Sequence, residues 1–474
     1  MSVFINSFIH DKPTYRKIFI LSTLDNGQKL ISAQTLANEL NCSIRTITND
    51  ISQLKKEIPK KWEIIGIITK GYVLKKPVND SIYPIFYSYI KESNITKIMT
   101  GIFNNKIYSL EKWSQLLYAN KLTLKQNLNY HNKLLQKIEL KFKFRSVQLV
   151  GKELNIRFYY HKFFYMINVL SNSSLLPHDK ILMEKLSNIL NSHAIVIDMR
   201  MIESIILVFI TRFSCKQYIT KIDTDIFPEN CNSNELLCFN KMIIAIESYY
   251  KINLPKSEKV ALKLYFFLVS VSNFEQGKHL IEFLKSTNKK YYDNYLGFFN
   301  NITEENNVEV NAKSQMIIEL TPFYYKSVLH SYFGLTREFY FSPLNILPNE
   351  LLPKYKKNLD RLSIWNVKYN TNNLKKNDLE CLIANATIIM EPFIEKINIL
   401  FLYSGTTAKF NVYYTMLEKQ LSDTVVLHRN YNINCSYDFI ITNTPQNKLN
   451  IPVLYISDNL STHEIDHIKN KIYR

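Results

Sequence analysis

Hydrophobic residues between positions 30 and 58 recur at helical spacing in two short segments, which are separated by a break at Asn41-Cys42. Ser32 stands at the position expected for the N-cap of the first helix, and Ser43 stands at that position in the second. The predicted inner faces carry Leu36, Ala37 and Leu40 in the first helix, and Ile44, Ile47, Ile51 and Leu54 in the second. This pattern predicts a helix-turn-helix.

Beyond Pro59, which stops the second helix, the segment WEIIGIITKGYVLKK predicts two short strands around Lys70-Gly71. A helix-turn-helix followed by such a hairpin is a winged helix-turn-helix, an arrangement that binds DNA. The outer face of the second helix carries residue types that read base edges, namely Arg45, Thr46, Thr48, Asn49 and Ser52. Phosphate contacts are expected from Lys55, Lys70, Lys75 and Lys76. The alternative is a three-helix core with a solvated charged face.

A second unit repeats this design after residues 80–100, which predict one connecting helix. Ser109 is expected to cap a short helix, and a long helix from Leu124 to Leu140 follows after a turn. The inward positions of the short helix are Leu110, Trp113, Leu116 and Leu117. His131 lies on the inner face of the long helix, where a packed core histidine is expected rather than a ligand. Lys141, Lys143 and Arg145 fall on one side of a second predicted wing. The DNA-contact candidates of this unit are Lys125, Gln126, Asn129, Lys133, Lys143 and Arg145.

The remaining two thirds of the chain have a different pattern of hydrophobic residues. Residues 156–393 predict long, apolar helices in two bundles, which we divide at residue 275. Residues 394–474 alternate strand and helix, with a strand at INILFLYS, a turn at Gly405, a helix from Lys409 to Leu421 and three further short strands. The predicted fold is therefore mainly α: winged helix-turn-helix domains at 1–79 and 80–155, two all-helical bundles, and a small C-terminal α/β domain.

Charge supports a polyanion partner at the N-terminal end. Residues 1–150 hold 23 Lys and Arg against 10 Asp and Glu, which is +13 of the net +18 of the chain. This uneven distribution of charge fits DNA binding better than a basic helix on a membrane surface. The basic residues lie within the helix-turn-helix patterns and do not form one polar face of a long amphipathic helix. The six cysteines are scattered without a paired spacing, so we expect no metal site. The chain lacks glycine-rich phosphate-binding motifs and a signal-peptide pattern, so we expect no cofactor and a cytoplasmic location.

Two segments carry a resemblance to a known family. EIPKKWEIIGIITKGYVLKKPVNDS, at 57–81, resembles the wing of the Mga/AtxA-type virulence transcriptional regulators, and DFIITNTPQNKLNIPVLYIS, at 438–457, resembles their C-terminal domain. The resemblance implies that the two bundles are phosphotransferase-regulated (PRD-like) domains and that the last domain is similar to the EIIB component of sugar phosphotransferase systems. It also implies a homodimer formed through the EIIB-like and second PRD-like domains, with RNA polymerase as a candidate partner.

The residues that accept phosphate in this family are replaced here. The family position in the first PRD-like domain corresponds to Arg200, and His193 would need a gap of seven residues to serve there. The position in the second domain falls near Thr387, and the cysteine turn of the EIIB-like domain reads Ser404-Gly405-Thr406-Thr407. Our hypothesis is that control by phosphotransferase proteins is weakened or lost, which argues against those proteins as partners.

Three classes of function make different demands on the sequence. A regulator of transcription needs a DNA reader and an oligomer surface, and we expect this chain to bind promoter DNA as an activator of virulence-type genes. An enzyme of sugar phosphotransfer needs a reactive Cys or His, whereas the turn at 404–407 offers hydroxyls without an activating base, so we expect no catalytic residue. The remaining alternative is a dimerisation or interaction module of a phosphotransferase-linked system that does not bind DNA.

Overall fold

The computed structural model describes residues 3–26, 30–67, 70–223, 226–227, 234–304, 308, 310–336, 347–371, 374–393, 396–421, 425–433, 435–445 and 451–472. The chain divides into two compact units. One comprises residues 1–298 and 318–388, and the other comprises residues 299–317 and 389–474.

The first winged helix-turn-helix is present as the sequence predicts. Its elements are α1 (Val3–Asn6), α2 (Lys12–Asn26), α3 (Ala33–Glu39), α4 (Ile44–Glu57), β1 (Glu63–Ile67) and β2 (Gly71–Lys75). The hydroxyl of Ser32 accepts a hydrogen bond from the Thr35 amide, and that of Ser43 accepts one from the Thr46 amide, so both predicted caps are confirmed. The prediction that Ile44 faces inward is wrong: it is 46% exposed, because it opens α4 one turn before Ile47 reaches the core.

The second unit has the same plan with shifted helix boundaries. Its elements are α5 (Tyr83–Glu92), α6 (Asn94–Phe103), α7 (Leu110–Leu116), α8 (Lys121–Gln136), β3 (Lys141–Lys143) and β4 (Gln148–Val150). The prediction of a single connecting helix over residues 80–100 is wrong. Ser93 has extended backbone, so α5 ends before it, and its hydroxyl caps α6. The long helix begins before Leu124, since the Asn120 side chain accepts from the Leu122 and Thr123 amides. Leu116 is exposed and not inward.

In the described part of the middle region ten α-helices follow, and a mainly helical middle is confirmed. They are α9 (Glu153–Ser171), α10 (Lys180–Ser192), α11 (Met199–Ser214), α12 (Asn234–Tyr250), α13 (Lys256–Val269), α14 (Phe274–Thr287), α15 (Lys289–Glu304), α16 (Val310–Tyr332), α17 (Leu352–Lys368) and α18 (Lys376–Met390). Three aromatic residues of α9, Tyr159, Tyr160 and Phe163, are fully buried. In the described part of the chain, no helix is both long and apolar enough to span a membrane.

The C-terminal α/β region contains every predicted strand. Its elements are β5 (Ile397–Leu402), α19 (Thr407–Gln420), β6 (Val425–His428), β7 (Phe439–Thr442), β8 (Val453–Tyr455) and α20 (Thr462–Ile472), with parallel strands in the order β6-β5-β7-β8. The sequence analysis did not predict α20, although its signal is local. The Ser461 amide donates to Glu464 at 2.8 Å and the Glu464 amide donates to the Ser461 hydroxyl at 3.3 Å, which forms a capping box. The amides of Ser461 and Ser457, which both donate to the Glu464 carboxylate at 2.8 Å, lower the pKa of Glu464 to about 2.

Candidate nucleic-acid interface

The outer face of α4 presents polar side chains to solvent. Arg45, Thr48, Asn49 and Ser52 are exposed, and Thr46 is half-buried. Three of these side chains already bond within the helix: the Thr48 hydroxyl donates to the Ile44 carbonyl at 3.0 Å, the Ser52 hydroxyl donates to the Thr48 carbonyl at 2.8 Å, and the Thr46 hydroxyl lies 2.8 Å from that of Ser43. Within the described residues, the Arg45 guanidinium and the Asn49 amide have no intramolecular partner, so both are available for base edges.

Two ion pairs with α2 fix α4 beneath this face. Asp50 is buried and accepts from Arg16 Nε at 2.6 Å and from Arg16 Nη2 at 3.2 Å. Glu57 accepts from Lys17 Nζ at 2.6 Å and also from the Tyr89 hydroxyl of α5. The bond to Asp50 raises the pKa of Arg16. Bidentate and buried pairing of this kind restricts the orientation of the helix, which a base-reading surface requires. The pairing of Asp50 with α2 has no local signal in the sequence, because the two partners lie 34 residues apart.

Backbone hydrogen bonds attach the first wing to the segment that precedes α3. Ile31 and Tyr72 exchange backbone hydrogen bonds of 3.0 and 2.8 Å, which adds a third short strand to the hairpin. Gly71 makes this approach feasible: its φ is +117°, and a Cβ there would lie 2.2 Å from the Ile31 carbonyl oxygen. Lys70 lies at the turn of the hairpin and is exposed, so its ammonium can reach a phosphate.

Lys76 differs from the other lysines proposed for phosphate contact. Lys55 and Lys75 are exposed, as is Lys70. The Lys76 ammonium instead donates to the Asp80 carbonyl at 2.6 Å, lies 3.3 Å from the Asp25 carboxylate and sits 5.8 Å from the centre of the Trp62 ring. We therefore assign Lys76 to a structural role, in which it holds the wing against α2. The spacing of the lysines in the sequence does not show this role.

The second unit reproduces the first at equivalent cap positions. Ser109 caps α7 as Ser32 caps α3, and Asn120 caps α8 as Ser43 caps α4. The turn between the helices contains one left-handed residue in each unit, Asn41 with φ of 48° and Tyr118 with φ of 49°. The second hairpin, like the first, gains a third chain segment, through a 2.8 Å bond from the Val147 amide to the Tyr108 carbonyl. The structure therefore contains two helix-turn-helix units of one design.

The outer face of α8 holds the second set of candidates. Lys125, Gln126, Asn129 and Lys133 are exposed on this helix, and Lys143 and Arg145 are exposed on the following hairpin. Counting from the caps, the position of Arg45 is taken here by Leu122, which is 64% exposed, and the turn carries Tyr118, which is 98% exposed. The outer face of α8 therefore lacks the arginine that begins the outer face of α4.

His131 is a core residue of the second unit, as the sequence predicts. It is fully buried, with Nδ1 at 3.2 Å from the Ser7 carbonyl and Nε2 at 2.9 Å from the Tyr159 hydroxyl. Burial lowers the pKa of His131 from 6.5 to about 3, against the raising effect of the Ser7 carbonyl. The imidazole is therefore neutral at physiological pH and joins α8 to α1 and α9.

We expect this histidine to make stability depend on pH. Between pH 6.5 and 3 the unfolded chain binds a proton at His131 that the folded chain does not, so its contribution is complete above pH 6.5 and falls as the pH decreases. The expected slope is about 1.4 kcal/mol per pH unit. Urea unfolding midpoints between pH 7 and 4 should fall less steeply in His131→Gln than in the wild type. The exposed control His178→Gln should follow the wild type. Equal slopes for all three proteins would contradict a neutral buried His131.

The three positions that the resemblance aligns with family phosphate acceptors have hydrogen-bond or ion-pair partners in the structure. Arg200 is exposed in the first turn of α11 and pairs with its N-cap Asp198 at 3.3 Å. Thr387 is buried in α18, where its hydroxyl donates to the Ile383 carbonyl at 2.8 Å. Thr406 caps α19 by accepting from the Lys409 amide at 3.4 Å. His193 ends α10, with Nδ1 at 2.6 Å from Asn234 Oδ1.

Comparison with known proteins agrees with this geometry. The model of the Mga helix-turn-helix domain matches residues 78–164, and a model described as an HTH domain matches residues 16–73. The chain is 20% identical over 330 residues to the capsule synthesis positive regulator AcpB of Bacillus anthracis, which is 68% of each chain. It is 24% identical over 147 residues, 31% of each chain, to the anthrax toxin expression trans-acting positive regulator of the same organism. It is 26% identical over 146 residues to the capsule synthesis positive regulator AcpA, covering 31% of this chain and 30% of the relative.

Tandem helix-turn-helix domains with wings define the class of protein: a transcription regulator with an N-terminal DNA-binding region. Within that class the chain is similar to regulators of the Mga/AtxA type, so the resemblance to this family is confirmed. These relatives are named as positive regulators, of capsule synthesis and of anthrax toxin expression.

Proposed function

We propose that this chain binds promoter DNA through its first recognition helix and activates virulence-type genes as a homodimer. The observation that carries the proposal is the outer face of α4, where Arg45 and Asn49 are exposed without an intramolecular partner in the described chain. That face lies on a helix that Asp50 and Glu57 fix to α2. Positive regulators among the similar proteins support the activating role.

Each residue type on this surface has a matching DNA group. Arg45 suits the two acceptors of a guanine edge, and Asn49 suits the donor and acceptor of an adenine edge. Thr46, Thr48 and Ser52 supply further hydroxyl contacts to base edges. Lys55, Lys70 and Lys75 are placed for phosphates beside the groove. The second unit adds phosphate contacts from Lys125, Lys133, Lys143 and Arg145, with Gln126 and Asn129 nearer the bases.

The phosphate contacts can be tested through the salt dependence of binding. Each phosphate contact releases counterions, so the log–log slope of affinity against salt should become shallower by about 0.9 for each contact removed. We expect Lys55→Gln/Lys70→Gln/Lys75→Gln to show this change with little loss of sequence preference. The control Lys180→Gln/Lys185→Gln/Lys419→Gln removes the same charge from exposed positions on α10 and α19 and should keep the wild-type slope. Equal slopes for the two triple variants would contradict the assignment.

The domains after residue 155 have a regulatory role in this proposal. Residues 156–275 and 276–393 form the two PRD-like domains, and residues 394–474 form the EIIB-like domain. Dimers form through the last two of these domains, and RNA polymerase is the candidate partner for activation. The parallel four-stranded sheet with α19 and α20 supports the α/β assignment of the last domain.

Control by phosphotransfer is lost or weakened in this proposal, because Arg200, Thr387 and Thr406 stand where the family has acceptors. A permanent guanidinium at Arg200 cannot accept phosphate, and the buried hydroxyl of Thr387 is bonded to its own helix. We expect no phosphohistidine on the purified chain after incubation with the general phosphotransferase proteins and phosphoenolpyruvate. Phosphate on a histidine, mapped by mass spectrometry at neutral pH, would contradict this part of the proposal.

A further inference from the structure

A groove of about 600 Å³ opens beside the second helix-turn-helix unit. It is lined by residues of α5, α6, α7 and α9 and of the loop that follows α9. Its floor is apolar and includes Trp113 of α7 together with Phe164 and Ile167 of α9. The volume is that of a site for a small organic molecule. An occupant would contact both the helix that precedes the second recognition helix and the first long helix of the middle region.

The rim of the groove is cationic. Lys91, Lys97 and Lys106 line it, and the one carboxylate among its lining residues is Glu92. Glu92 is paired with Lys97 at 2.8 Å, and this bond lowers the pKa of Glu92. Among the described residues, Lys91 and Lys106 form no ion pair with a carboxylate, although the charge of Lys91 also lowers the pKa of Glu92. The Lys91 ammonium lies 5.9 Å from the centre of the Tyr87 ring. The rim therefore leaves two positive charges to be matched by an anion.

Trp113 gives the groove an aromatic wall. Its side chain is buried and packs against Gly101, where a Cβ would lie 2.4 Å from the indole. Its indole Nε1 is itself shielded from solvent and has no hydrogen-bond partner in the described structure. Trp113 therefore contributes apolar surface to the groove rather than a hydrogen-bond donor.

We propose that this groove binds a small organic anion with a planar apolar body, such as an aromatic carboxylate or sulfonate. The apolar floor takes the body by stacking on the indole and the Phe164 ring, and Lys91 and Lys106 take the acidic group. A bare inorganic anion would leave the floor empty, and a neutral aromatic would leave the lysines unmatched. This inference does not depend on DNA binding, because none of these residues belongs to the α4 surface.

The test uses the full-length chain and the aromatic sulfonate 1-anilinonaphthalene-8-sulfonate as probe. We expect one binding site per chain, with energy transfer from tryptophan that decreases strongly in Trp113→Phe, which leaves Trp62 and Trp365 in place. Lys91→Gln/Lys106→Gln should raise the Kd of the probe by about tenfold at low salt, because two matched charges are removed. The control Lys180→Gln/Lys185→Gln removes the same charge from α10 and should bind as the wild type does.

Two further arms separate this proposal from its alternatives. The uncharged analogue N-phenyl-1-naphthylamine should bind more weakly and should show no response to the lysine double variant. Duplex DNA should leave the bound sulfonate in place. The proposal is overturned if Lys91→Gln/Lys106→Gln binds the sulfonate with the wild-type Kd. It is also overturned if several equivalent sites are found, or if DNA displaces the probe through the same lysines, which would make the rim a phosphate-binding surface.

Discussion

Glu258→Ala is expected to lower the free energy of unfolding of the helical region by about 3 to 5 kcal/mol. Glu258 and Arg157 are both fully buried, and the carboxylate accepts from Arg157 Nη1 at 2.5 Å and from Nη2 at 2.9 Å. It also accepts from the Ile219 amide at 2.8 Å. Removing this carboxylate leaves two arginines, Arg157 and Arg212, with the single carboxylate of Glu153 between them. One positive charge of the buried network is then unmatched, which is the costly way to break such a pair.

The size of this effect follows from the network around the pair. Arg157 also donates to Glu153 at 3.0 Å and to the Gln217 carbonyl at 2.7 Å, and Arg212 pairs with Glu153 at 2.6 Å. These bonds connect α9, α11 and α13, so one missing carboxylate disturbs three helices.

Urea unfolding followed by circular dichroism measures the loss in Glu258→Ala. The control Glu275→Ala removes a carboxylate from an exposed pair with Lys278 and should change stability by less than about 1 kcal/mol. If the two variants unfold at the same urea concentration, the buried network does not hold these helices together.

Arg45→Ala is expected to weaken binding to the specific promoter duplex by about 1 to 3 kcal/mol, because a bidentate contact to a base edge is lost. The thermal unfolding of the chain should be unchanged, since Arg45 is exposed and has no partner within the described structure. Affinity for random DNA should fall much less, because the phosphate contacts remain.

Fluorescence anisotropy with the two duplexes measures this difference, and Lys180→Ala is the matched control. Lys180 is exposed on α10 and carries the same charge as Arg45, but it lies outside the two helix-turn-helix units. Equal affinity of Arg45→Ala and the wild type for both duplexes would show that Arg45 reads no base.

The local parts of the DNA-binding region could be predicted from the sequence. Caps such as Ser32 and Ser43 bond to amides three residues ahead, so a few letters of sequence determine them. The wings follow from alternating residues around a short turn, and the pairing of Glu63 with Lys75 and of Lys141 with Val150 agrees with that pattern. The buried parallel strand β5 is an apolar run that its composition alone reveals.

The parts that could not be predicted depend on residues far apart in the chain. The burial of Asp50 depends on Arg16, and the role of Lys76 depends on Asp25, so neither can be seen in the spacing of α4 or of the wing. The network of Arg157 joins residues 101 positions apart. At helix ends the periodicity is weakest, which is why Ile44 and Leu116 were placed inward although both are exposed.

The most direct test of the DNA-binding account is fluorescence anisotropy of the full-length chain with an A·T-rich promoter duplex and a random duplex across a salt series. Arg45→Ala/Thr48→Ala is measured alongside. The account predicts tight binding with a steep salt dependence, and loss of the preference for the promoter duplex in the double variant. Absence of binding at moderate salt by a folded, dimeric protein would contradict it and would favour a protein-interaction module that does not bind DNA.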